Sequence, residues 1–143
     1  MKRICILVIV LYVSMTLCGC FGPGISDYRY DLATGYQLIC SSAHEIKVVP
    51  KSSVGIPMIP AKVVEIVFDD TFILAKQLGL KKESENSTYM IPDEKVIRYW
   101  IINAKENKIY GPFENDEFNK KQKELKISDS LKLKDVDSYK KSK

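Results

Sequence analysis

Histidine is almost missing from this chain: there is one, His44, in 143 residues. A lone imidazole excludes most histidine-based metal sites and catalytic triads. Glycine and proline number only seven and six, too few for a collagen-like or low-complexity chain. An excess of one charge is also lacking, since 22 basic residues stand against 18 acidic ones. Nucleic-acid binding calls for a dense basic stripe, so no nucleic-acid partner is expected. No apolar run reaches the roughly 20 residues that a membrane-spanning helix needs. What is present is globular: hydrophobic residues make up 45%, too many for a disordered chain, and the length suits one domain.

The longest apolar run covers residues 4–17 and follows Lys2 and Arg3. As a helix it would span about 21 Å at roughly 1.5 Å per residue, against a hydrocarbon core of about 30 Å. That is the length of a signal-peptide core, behind cations that stay on the cytoplasmic side. The run ends in Leu17-Cys18-Gly19-Cys20. A branched apolar residue, two small ones and a cysteine resemble the lipobox of bacterial lipoproteins. The resemblance implies that the Cys20 thiol receives a diacylglyceryl group and that cleavage falls between Gly19 and Cys20. Cys18 departs from the usual Ala, Ser or Thr there but is similarly small. A cut before Cys18 is disfavoured because it would put bulky Leu17 beside the scissile bond. An uncleaved anchor of this length would have to thin the bilayer. Two acyl chains suffice for stable anchoring, at about 0.8 kcal/mol per buried methylene. The expected location is therefore the extracytoplasmic face of the cell membrane.

Four cysteines then reduce to one. Cys5 and Cys18 leave with the signal, Cys20 is acylated, and Cys40 alone remains free. No intramolecular disulfide is expected, although export would permit one.

The remaining chain divides into a tether (20–27), a domain (28–127) and a Lys-rich tail (128–143), with Leu131, Leu133 and Val136 as anchors. Period-two stretches predict strands at 28–32, 36–41, 44–49, 62–68, 72–78, 96–103 and 108–110. Val64, Ile66 and Phe68 are expected on one face. Asp69-Asp70-Thr71 marks a hairpin turn. Residues 81–95 read as a solvated connection, and Gly111-Pro112 as the end of the last strand. Tyr99-Trp100-Ile101-Ile102 is apolar on both faces, which predicts a central strand covered on both sides. Residues 115–126 read as the one helix, capped by Asn115, with acids first and lysines last. The fold class is α+β: an antiparallel, mainly meander sheet of about six strands with a C-terminal helix packed on it.

Chemistry-bearing motifs are few. Strand neighbours point to opposite faces, so His44 and Glu45 would diverge. Asp69-Asp70 reads as a turn rather than a calcium site, because no series of oxygen ligands follows. No catalytic residue, metal or cofactor is expected. Two groups are candidates for partner binding. One is the unusually apolar loop with Ile56, Met58 and Ile59, which would otherwise cap the core. The other is Tyr28, Tyr30 and Tyr36, which would otherwise pack as ordinary strand residues.

Gly35-Tyr36-Gln37-Leu38, Ser42-Ala43-His44-Glu45-Ile46, Ile59-Pro60-Ala61-Lys62-Val63, and Tyr99-Trp100-Ile101-Ile102-Asn103 with Tyr110-Gly111-Pro112 resemble a family of short uncharacterised lipoproteins of low-GC Gram-positive bacteria, grouped by a domain of unknown function. The resemblance implies export and lipidation and carries no activity. The expected function is a membrane-anchored, non-catalytic binding or accessory module. Its partners would be the membrane, through the lipid, and an envelope protein or wall component. The alternative is a small extracytoplasmic hydrolase or substrate-binding protein, which would show a ligand-sized cleft with convergent polar groups.

Overall fold

Two antiparallel sheets arise where the period-two stretches pair. The computed structural model describes residues 27–32, 35–52, 55–56 and 58–140. The signal, Gly19, Cys20 and nearly all of the tether lie outside these residues. In the first sheet β1 (Tyr28–Asp31), β2 (Tyr36–Ser42) and β3 (Glu45–Pro50) form a meander. The second contains β4 (Val63–Phe68), β5 (Phe72–Lys82), β6 (Met90–Asn103), β7 (Lys108–Phe113) and β8 (Lys134–Asp135). Its spatial order is β7-β6-β5-β4-β8. The helix α1 (Asn115–Glu124) packs against β6 and β7. The α+β class and the single helix agree with expectation, but the strands are eight in two sheets rather than about six in one.

The sheet splits in two at the 51–61 loop. Among the described residues one backbone pair crosses from it to β3: Val48 and Ile59 exchange N–H···O bonds of 3.1 and 2.9 Å. The small sheet therefore folds over one face of the large one instead of extending it. Leu38, Cys40, Ile46 and Val48 meet Ile66, Ile73, Ala75 and Ile102 in a core between the sheets. On the opposite face Val67, Leu74 and Ile101 pack against Phe118 and Ile127. Three layers result, with the large sheet in the middle. Ile101 and Ile102, both fully buried, thus serve different cores from adjacent positions. That is the doubly covered strand the sequence predicts.

Bulges move several residues off the simple alternation. The β4–β5 register shifts between Val63 and Glu65, so Val63, not Val64, joins Ile66 in the core. Between Leu78 and Gly79 the β6 partner jumps from Ile97 to Asp93, which leaves Glu94, Lys95 and Val96 as extra residues. A Cβ on Gly79 would lie 2.8 Å from the Val96 Cβ, so the bulge can seat Val96 only because residue 79 has no side chain. Beyond it Gly79–Lys82 and Met90–Asp93 continue as paired strand. Residues 81–95 are therefore largely a two-stranded arm and not an unstructured connection. Cross-strand pairing overrides their polarity.

Of the buried polar groups, the Gln77 amide is satisfied while the Tyr36 hydroxyl is without a partner. Gln77 accepts from Trp100 Nε1 at 2.6 Å and donates to the Ala61 carbonyl at 2.7 Å. Both halves of its amide are thereby used, which removes the cost of burying it.

The tail is integrated rather than free. Lys134 and Asp135 pair with Ile66 and Glu65, and Val136 is buried in the core between the sheets. A 3-10 turn, Val136–Tyr139, follows. Tyr139 meets Tyr30 at 5.1 Å and Phe68 at 5.9 Å between ring centroids. Its hydroxyl donates to the Ile66 carbonyl at 3.3 Å. The C-terminus thus fastens the two sheets to each other.

Strand β7 passes through Gly111-Pro112 instead of stopping there. Tyr99 pairs with Phe113 and Ile101 with Tyr110, so two residues of β7 oppose the single Trp100. This bulge lets Tyr110 and Phe113, three positions apart, face the same side. Gly111 sits at φ +120°, and a Cβ there would meet the Tyr99 carbonyl at 2.7 Å. Gly111→Ala is expected to lower stability by about 1–3 kcal/mol, read as a fall in the denaturation midpoint with an unchanged m-value.

Candidate functional site

Because Tyr110 and Phe113 share a face, β7 presents two rings toward α1. The chain turns from Phe113 directly into the helix. Glu114, not Asn115, is the N-cap, and its N–H donates to Glu117 Oε2 at 3.4 Å. This reciprocal acid at the third helical position is what makes Glu114 the boundary. Phe118, one turn in, is buried and stacks on Tyr99 at 4.9 Å. The helix is thereby set beside the outer edge of the sheet, with a trough between.

Tyr110, Gly111, Phe113, Glu117, Lys120 and Lys121 line this trough, whose volume is about 450 Å³. A second hollow of about 610 Å³ continues past Phe113 to Arg98, Glu114 and Asp116. Both open to solvent. Lys108 Nζ lies 5.1 Å and Lys121 Nζ 4.8 Å from the centre of the Tyr110 ring. Lys121 also pairs with Glu124 at 2.7 Å. Two cations on one ring make a platform suited to anionic or polar groups. No residue pattern marks it, since Tyr110 and Lys121 lie eleven positions apart and the β7 bulge aims the ring at the helix.

The candidate partner-binding residues separate. Met58 is 50% exposed and Ile56 half-buried, but Ile59 is fully buried through its pairing with Val48. Tyr36 is 1% exposed and belongs to the core. Tyr28 and Tyr30 are partly buried against the same core. The loop therefore offers Ile56 and Met58 to solvent while Ile59 caps the core, and Tyr36 offers no contact surface. Tyr30 is committed to Phe68 and Tyr139.

His44 lies in the β2–β3 turn rather than in a strand. Its ring meets Tyr89 of the arm at 5.8 Å, and its Nδ1 is without a hydrogen-bond partner. Asp69 Oδ1 accepts the Thr71 and Phe72 N–H groups, both at 2.7 Å. The hairpin turn is thus an Asx turn, as the Asp69-Asp70-Thr71 signal predicts. Among the described residues no three of His, Cys, Asp and Glu converge in a way that could hold a metal ion.

Titratable groups near the tether exit are shifted by burial. Burial raises the Cys40 thiol, which also donates to the Ser42 carbonyl at 3.4 Å. The protonated form is favoured, and a nucleophilic thiolate is not. Tyr28 is pushed up to about 12, first by burial and then by Cys40, once that thiol ionises at alkaline pH, and by the Asp137 and Asp135 carboxylates. Lys140 Nζ sits 5.7 Å above the Tyr28 ring and is itself raised by its bond to Asp137.

A family model described as a protein of unknown function, DUF3997, matches residues 33–137. The chain belongs to this family. The match spans every element from β2 to β8 and includes the trough and its lysines. No curated protein and no solved structure matches.

With a folded pKa above the unfolded one, the Tyr28 phenol favours folding in its neutral form. Its contribution is complete below pH 10 and is lost as pH rises toward 12. A Tyr28→Phe variant should lack the phenol that ionises last in an ultraviolet titration and should lose less stability than the parent over that interval.

Proposed function

We propose that this member of the family is a membrane-anchored, non-catalytic binding or accessory module on the extracytoplasmic face of the cell membrane. The observation that carries the reading is Leu17-Cys18-Gly19-Cys20 behind a short apolar run, seven residues ahead of Asp27 and β1. Acylation at Cys20 would leave a tether of at most roughly 24 Å between lipid and fold. Among the described residues no helix is long and apolar enough to cross a membrane. The quoted resemblance to lipoproteins of low-GC Gram-positive bacteria supports the same placement.

The non-catalytic part rests on side chains. The His44 ring faces Tyr89 and its Nδ1 is without a partner, and the Ser42 hydroxyl accepts from the His44 backbone N–H at 3.3 Å rather than from the imidazole. The trough beside α1 is open and lined by paired and solvated charges, which suits recognition more than chemistry that excludes water. An envelope protein or wall component is the expected partner class.

Cys20→Ser is expected to abolish fatty-acid labelling of the protein in its own cells and to release or misprocess it. Labelling that persists unchanged in this variant refutes the anchored reading.

A further inference from the structure

Charge is unevenly distributed over the domain. Residues 118–134 carry six lysines (Lys120, Lys121, Lys123, Lys126, Lys132 and Lys134) against two acids, Glu124 and Asp129. The rest of residues 20–143 is on balance acidic. Pairing is uneven as well. Of the ten described lysines elsewhere, five (Lys47, Lys51, Lys76, Lys81 and Lys140) lie within 4 Å of a carboxylate. Of the six, Lys121 alone does so among the described residues.

The fold gathers most of these lysines on one side. Leu125, Ile127, Leu131 and Leu133 all pack into the core beneath α1, so the segment after the helix stays on the helix layer. Lys120, Lys123, Lys126 and Lys132 are exposed there, whereas Lys134 lies in the large sheet itself, opposite Ile66 in β8. Lys108, from the start of β7, joins this side over the Tyr110 ring.

The layer order says where that side looks. The chain preceding β1 enters through the small sheet, and the whole large sheet stands between it and α1. Sheet and helix spacings of about 10 Å each put the lysines roughly 20 Å beyond the layer that receives the tether.

We propose that the lysine-bearing face of α1 and residues 125–132, with the Tyr110 platform at its border, binds a linear anionic polymer carrying repeated phosphate groups. Unpaired lysines spread along a helix and the extended segment after it match a chain of regularly spaced charges, and release of the polymer's counterions drives the association. The trough offers Tyr110 and Phe113 for the uncharged links between phosphates. The location of such a polymer outside the cell rests on the anchored reading above. The binding chemistry does not.

The test is calorimetric titration of the full chain with long-chain inorganic polyphosphate at low and moderate salt. The parent should bind, and Lys120→Gln/Lys123→Gln/Lys126→Gln should weaken binding by about tenfold and flatten its salt dependence by about two in log–log slope. Lys81→Gln/Lys82→Gln/Lys95→Gln, which alters the arm instead, should change affinity less than about twofold. Thermal melts confirm that both variants fold, since these side chains are at the surface. No binding by the parent overturns the proposal, as do equal losses in the two variants. Tighter binding to phosphatidylglycerol vesicles than to polyphosphate, lost in the helix variant, makes a bilayer the occupant and overturns it too. The intact mass of the same preparation shows whether Cys20 is acylated, so failure of the anchored reading is seen separately.

Discussion

Everything in this domain depends on the large sheet being buried on both faces. A sheet of 3–5 short strands with one dry face is marginal at this size. Here β5 and β6 are dry on both faces over their central residues, because the small sheet covers one side and α1 with the following segment covers the other. Ile73, Leu74, Ile101 and Ile102 all fall to 1% exposure or less. At about 25 cal/mol per Å² of apolar area removed from water, such a double covering replaces the cross-links that a chain with a single described cysteine cannot make.

That demand fixes where irregularity is allowed. Each strand has to send alternate residues into two different cores, and the bulges at Val63/Glu65, Gly79/Val96 and Gly111/Pro112 reset that alternation where the sequence breaks it. The third of them also makes the trough. By turning Tyr110 and Phe113 to one side it brings two rings beside α1, where Lys121 and Lys108 reach the Tyr110 ring. A packing device and the trough beside α1 thus share one insertion in β7.

Much of this was legible in the residues. Ile101-Ile102 announced the doubly buried strand, Asp69-Asp70-Thr71 the β4–β5 turn, and the acids-first, lysines-last order of residues 115–126 the helix. Other features were hidden for physical reasons. Division into two sheets hinges on one pair, Val48 with Ile59, which no local pattern marks. The arm over Gly79–Lys82 and Met90–Asp93 has polar strands whose pairing partner sets their conformation. Ile59 and Tyr36 are indistinguishable by type from surface anchors, and only the packing of the loop and of β2 buries them. Glu114 displaced Asn115 as the cap because Glu117 answers it three residues on. The trough was invisible because Tyr110 and Lys121 approach only in three dimensions.

The last strand has a temporal consequence. β8 pairs with β4, and Val136 and Tyr139 complete a core begun a hundred residues earlier by Tyr28 and Tyr30. Residues 32–104 already bring the two sheets face to face, and the contacts of Val136 and Tyr139 close over that core only after the chain has been made to residue 139.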